Sequence, residues 1–183
     1  MGKPSYLPLL NTIAVNEKKG EQFLSAWADA TPDDNLAEVL RFVAIREGEH
    51  AWAFTKRLCE LGYAVSEADA YDVFGDFDAL LSCVSSEASD LEKIERVTGG
   101  NGNGDGRDPF GRLFEDVTID PETGALLGRY IAEERDSGRR LTAAYSAARE
   151  RAGDDGRSAE ELAELKATIK ALKKEVKALK RLQ

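Results

Sequence analysis

Glu47-Gly48-Glu49-His50 sets a carboxylate and an imidazole at i and i+3, one above the other on a helical face, where both can ligate one metal ion. His50 is the only histidine of the chain. Three further glutamates hold comparable places. Apolar residues at steps of three and four form a first stripe of Leu10, Ile13, Glu17, Gly20, Leu24 and Trp27. A second runs Leu36, Leu40, Val43, Glu47, His50, Phe54, Leu58, Leu61, and a third Phe77, Leu80, Val84, Glu87, Leu91, Ile94. The fourth is Leu127, Ile131, Glu134, Gly138, Leu141, Tyr145. Each stripe carries a glutamate near its middle, although glutamate is almost never fully buried without a partner. Four carboxylates facing one interior repel one another and lose their hydration. A divalent cation resolves both costs by direct coordination, so the pattern predicts a metal site of Glu17, Glu47, His50, Glu87 and Glu134. A small rotation of the fourth stripe faces Glu133 and Asp136 inward instead of Glu134, and Tyr130 lies one turn earlier as a hydrogen-bonding or redox neighbour or a packing residue. The competing reading is an inert bundle in which His50 is a satisfied core residue.

Such stripes require helices. Period-2 alternation bounded by hairpin turns is absent, and the expected fold is all-α. Residues 9–30 form a first helix after Pro8. Thr31-Pro32-Asp33-Asp34 supplies a cap, an N1 proline and dipole-favoured acids for a second, which ends at Gly62, so the first two helices pack antiparallel. Ser66-Glu67-Ala68-Asp69 resembles a capping box and opens a helical stretch that bends at Gly75 and resumes over residues 76–97. Residues 98–111, rich in Gly, Asn and Asp, read as a flexible surface loop. That run imitates a calcium loop but has Arg112 at the closing position, so calcium is not expected. Asp120-Pro121-Glu122 caps a last bundle helix reaching about Arg151. Residues 1–152 are thus the expected bundle, 153–157 a linker and 158–183 a tail.

On these residues the chain resembles the ferritin-like superfamily of di-iron carboxylate proteins. Glu17 fits the first-helix ligand, Glu47 and His50 the second-helix E-x-x-H, Glu87 the third-helix ligand and Glu134 the fourth. Arg46-Glu47-Gly48-Glu49-His50-Ala51, with Leu61-Gly62 after it, is similar to the second helix of rubrerythrin-type members. The resemblance spans residues 9–150 and implies a ferritin-like antiparallel four-helix bundle holding two iron ions, or manganese. It also implies a ferroxidase or peroxidase-like oxidoreductase. Two features depart from the rubrerythrin pattern. Ser137, not histidine, follows Glu134 at i+3, and Asp136 follows Glu133. The paired C-x-x-C motifs of a rubredoxin domain are missing, since the chain has only Cys59 and Cys83.

Composition limits the remaining classes. The net charge of −9 is divided between +4 over residues 157–183 and −13 over the rest, an acidic body that argues against nucleic-acid binding. No apolar run approaches the roughly 20 residues of a membrane span. Residues 1–10 show no export or transit signal, and a cytoplasmic protein is expected.

The tail carries a heptad, with Leu162, Ile169 and Val176 at a and Leu165, Leu172 and Leu179 at d, the choice that favours a parallel two-stranded coiled coil. Glu161 meets Lys166 and Glu175 meets Lys180 of a partner helix, so a homodimer is expected. Two functions remain open at this point: a di-metal oxidoreductase, and a metal-free or degenerate bundle serving as a zipper-dimerised structural or adaptor protein.

Overall fold

The structure, a computed structural model, describes residues 4–99 and 116–179, with side chains to residue 153. Among the described residues all regular structure is helical: α1 Leu7–Ala30, α2 Asp34–Glu60, α3 Phe77–Val84, α4 Asp90–Thr98 and α5 Pro121–Leu179, with a single 3-10 turn at Glu67–Asp69. The chain divides into two units, Met1–Tyr145 and Ser146–Gln183. None of the described helices is long and apolar enough to cross a membrane.

The helix ends follow their local chemistry. Asp33, rather than Thr31, caps α2 by accepting from the backbone N–H of Asn35 and Leu36. At its other end Gly62 adopts φ +82°, its N–H reaching Cys59 O while that of Tyr63 reaches Leu58 O. This Schellman arrangement needs a left-handed residue, which glycine adopts without strain. Asp120 accepts from the N–H of Glu122 and Thr123 at the head of α5, from the Tyr6 hydroxyl at 2.7 Å and from Arg57 at 2.7 Å. One carboxylate therefore joins the first turn of α5 to both α1 and α2. Burial works against its charge, yet the hydrogen bonds from Thr123, Tyr6 and Arg57 hold it well below the usual carboxylate range.

Side-chain pairs give the helix directions. Gly20 faces Glu47, Glu17 faces His50 and Ala28 faces Arg41, so α1 and α2 are antiparallel. Arg46 meets Asp136, His50 meets Glu133 and Arg57 meets Glu122, so α2 and α5 are antiparallel as well. Tyr6 with Asp120, Glu17 with Tyr130, and Trp27 stacked on Tyr145 show that α1 and α5 run the same way. Leu10, Ile13, Phe54, Leu58, Leu127 and Ile131 fill the core on one side of these pairs. Leu24, Trp27, Leu36, Leu40 and Val43 are buried toward the other end.

The third stripe departs from expectation. Past the short 3-10 turn the chain is not helical until α3, and the 66–74 segment lies along α1. Asn11 bonds both the N–H and the C=O of Ser66 at 2.8 Å. Asn16 donates to Tyr71 O at 2.7 Å and accepts from Val73 N–H at 3.3 Å. The helix expected over 76–97 is split into α3 and α4. Ser85 and Ser86 turn their hydroxyls back onto Leu81 O and Cys83 O, and Ser89 starts α4 with a full capping box to Glu92.

The tail also differs from expectation in one respect. α5 continues through residues 153–157, where two glycines suggested a linker. Each costs about 1 kcal/mol in a helix relative to alanine, which the flanking helix formers outweigh. The heptad side chains of residues 162–179 and the loop at 100–111, with its calcium-like run, lie outside the side chains described.

Candidate metal centre

Glu17 of α1, His50 of α2 and Glu134 of α5 converge at the middle of α1 and α2 and in the first quarter of α5, with one ligand atom from each within 4.8 Å of the others. Glu17 is 6% exposed and His50 4%, and the Glu134 side chain 18%. Leu10, Ile13 and Phe54 lie buried on one side of them and Leu24, Leu40 and Val43 on the other. Three of the five expected ligands are thus brought together.

The two nitrogens of His50 face different carboxylates. Nδ1 lies 3.1 Å from Glu17 Oε2 and 3.3 Å from Glu134 Oε1, and Nε2 lies 2.8 Å from Glu133 Oε2. One ring nitrogen carries at most one hydrogen, so Nδ1 cannot serve both of its neighbours. Glu134 Oε1 is the atom left over, buried and without a hydrogen bond. A buried carboxylate oxygen without a hydrogen bond costs a few kcal/mol unless a cation meets it, and the cationic group nearest to it in the metal-free protein is the His50 ring. Glu17 has its other oxygen satisfied, accepting from the Tyr130 hydroxyl at 2.8 Å. Burial, and then the charges of Glu17 and Glu134, push the Tyr130 phenol far above its ordinary range, so it remains a donor. Its ring packs edge-on against His50 and Phe54, which fixes the hydroxyl in place.

Glu47 completes the inner group. Its carboxyl lies against Gly20 of α1, close enough to Glu17 and Glu134 to feel their charges. Burial first, then the charges of Glu17 and Glu134, raise its pKa from 4.5 to about 10. Burial disfavours a charged His50, but Glu134, Glu17 and Glu133 outweigh it and raise the imidazole from 6.5 to about 10. At neutral pH two protons, one on Glu47 and one added to His50, thus offset the negative charge of the cluster.

The two remaining expectations divide. Glu87 is exposed, in the turn between α3 and α4, and stands apart from the cluster, because the serine-rich break removes it from any helical face. On α5 the expected choice between Glu133 and Glu134 does not arise, since adjacent residues reach His50 from its two sides. The buried face of α5 passes through Tyr130 and Ser137, while Gly138 of the expected stripe is exposed. Asp136 points away and pairs with Arg46 at 3.0 Å and Arg140 at 2.7 Å. These partners lower its pKa, Arg140 most, to about 2.

Arg46 is a residue that the ligand pattern alone does not reveal. Its Nη1 donates to Glu133 O, Asp136 Oδ2 and Ser137 Oγ at 3.0–3.1 Å, fixing the turn of α5 that carries Glu133 and Glu134. Ser137, where a second E-x-x-H has histidine, is buried beneath that guanidinium. The clue in the sequence is an arginine immediately before E-x-x-H, facing an acidic run on another helix.

No protein-family model, curated protein or solved structure matches the chain. The chemistry of the donors then carries the reading. Carboxylate oxygens with one imidazole form a ligand set for a divalent metal, and a buried oxygen lacking a hydrogen bond in that set fits a metal ion. An open cavity of about 540 Å³ leads to this place, lined by buried His50 and Tyr130, by Glu133, Glu49 and Arg129, and by exposed Trp52.

Proposed function

We propose that the chain is a ferritin-like carboxylate protein that binds two iron ions, or manganese, and reacts with dioxygen or peroxide as a ferroxidase or peroxidase-like oxidoreductase. The observation that carries this reading is the convergence of Glu17, His50 and Glu134, with Glu134 Oε1 buried, without a hydrogen bond and 3.3 Å from His50 Nδ1. Glu47 and Glu133 adjoin the cluster, and four carboxylates, Glu17, Glu47, Glu133 and Glu134, balance the charge of two divalent ions. The direction of α1, α2 and α5, with an intervening crossover, supports the ferritin-like assignment.

Two iron ions held there would supply the electrons that reduce dioxygen or peroxide, one from each ion. The protein's part is positional. Tyr130 holds Glu17 by its second oxygen, and Arg46 sets the register of Glu133 and Glu134. The protons on Glu47 and His50 leave as the metal enters, and the cavity beside His50 admits a small oxidant.

Oxygen uptake by the protein loaded anaerobically with ferrous iron tests the proposal. Uptake in proportion to protein, lost in Glu134→Gln, is expected; uptake no faster than that of free ferrous iron removes the oxidoreductase assignment. Ser137 in place of a second ligating histidine, buried under Arg46, favours a second reading, a metal-free zipper-dimerised adaptor. In that case the chain takes up no metal at all.

A further inference from the structure

Gly20 faces Glu47 across the contact between α1 and α2. A Cβ built on Gly20 falls 2.6 Å from Glu47 Oε2, 3.3 Å from its Cδ and 3.5 Å from its Cγ. No other side chain or backbone is among the nearest atoms. The vacancy at Gly20 is filled by the carboxyl of one glutamate. Neither a turn nor a positive φ calls for glycine there, since Gly20 lies inside α1 where alanine is favoured by about 1 kcal/mol.

The geometry points to Gly20 as the positioning residue for Glu47: the missing side chain lets the Glu47 carboxyl lie against α1, beside Glu17, where it can join the metal cluster. This inference rests on the metal-binding reading above. Ordinary contact between non-bonded atoms is about 3.5 Å, so a methyl at Gly20 drives Oε2 back by about 1 Å. Ligand positions in a working site are held to about 0.5 Å. The glutamate is a flexible side chain on a surrounding rigid pair of helices, so it gives way before the helices do. The fold is kept and the ligand is moved.

A second glycine provides the control. A Cβ on Gly48 of α2 falls 2.9 Å from Glu21 Oε1, the reciprocal contact. Glu21 is half-buried, pairs with Lys18 and stands at the wall of the cavity, outside the cluster of ligand atoms. Alanine at Gly48 makes the same change in helix propensity and the same collision, but against a carboxylate that holds no metal.

The test is anaerobic cobalt(II) titration, followed by its visible absorbance, of the natural chain, Gly20→Ala, Gly48→Ala, Glu47→Gln and the Gly20→Ala/Glu47→Gln pair. Gly20→Ala is expected to weaken binding at least tenfold in the natural background and less than twofold in the Glu47→Gln background, with Gly48→Ala within twofold of the natural chain. Equal affinity for Gly20→Ala and the natural chain overturns the proposal, as does an equal loss in both backgrounds. Thermal melting of metal-free Gly20→Ala/Glu47→Ala against Glu47→Ala covers failure to fold. With the carboxylate gone, the added methyl is expected to raise the melting temperature, and a lower one places the collision elsewhere and overturns the proposal. If the natural chain takes up no cobalt, the metal reading falls first and this inference with it.

Discussion

Tyr130 donates its hydroxyl to Glu17 Oε1 at 2.8 Å, joining the parallel helices α1 and α5 at the level of His50. The bond leaves Glu17 Oε2 directed at the imidazole. Tyr130→Phe removes the donor but keeps the ring against His50 and Phe54. A hydrogen bond to a charged group contributes about 1.5–3 kcal/mol, and partners of metal ligands commonly affect affinity about 10–100-fold. The variant is expected to fold, to melt lower, and to bind the same number of ions more weakly by about that factor. Urea unfolding and metal titration measure the two effects, and unchanged affinity would show that Glu17 needs no second anchor.

The protons of the cluster set the pH behaviour. Glu47 in the fold is raised from 4.5 to about 10 and His50 from 6.5 to about 10, so between those limits the folded state holds more protons than the unfolded one. Their contribution to metal-free stability is therefore full below the unfolded values and is lost as pH rises toward 10. The urea midpoint of the metal-free protein is expected to be lower at pH 9 than at pH 6. Metal affinity moves the opposite way, rising with pH because both protons must leave. Affinity constant between pH 6 and 8 would contradict the protonation assigned here.

Glu87 and Glu134 hold equivalent places in the sequence pattern but not in the molecule. Glu87→Gln changes an exposed turn and is expected to leave affinity and stability within error. Glu134→Gln replaces the carboxylate with the unsatisfied oxygen and is expected to lower affinity by at least a hundredfold. Side-by-side titrations decide the matter; equal effects would return Glu87 to the site.

Legibility in the sequence followed the physical cause of each feature. Leu10, Trp27, Leu40, Phe54, Leu127 and Ile131 are buried as their periodicity requires, because a helix face repeats regularly and burial selects apolar residues. Glu17, Glu47 and His50 were legible as interruptions of that regularity. Glu87 keeps the apolar periodicity but not the helical face, because side-chain hydrogen bonds of Ser85, Ser86 and Ser89 break the helix there, which hydrophobic spacing does not register. Asn11 and Asn16 leave no mark on the sequence pattern because their partners are backbone groups of a segment 55 residues away. The roles of Arg46 and Gly20 depend on contacts between helices, so no spacing within one helix reveals them.

The tail gives a prediction independent of the metal. If Leu165 and Leu172 occupy d positions of a parallel two-stranded coil, Leu165→Glu with Leu172→Glu places charges at the seam and converts a dimer to a monomer. Light scattering of both proteins at the same concentration measures the change. A natural chain that is already monomeric, or a variant that stays dimeric, excludes the zipper as the dimer contact.

The most direct measurement of the central claim is an anaerobic ferrous titration of the metal-free protein, with Glu134→Gln and His50→Ala in parallel. Saturation at two irons per chain, lost or greatly weakened in both variants, is the predicted result. Absence of saturable binding, or binding equal in all three proteins, would contradict a metal centre at Glu17, His50 and Glu134.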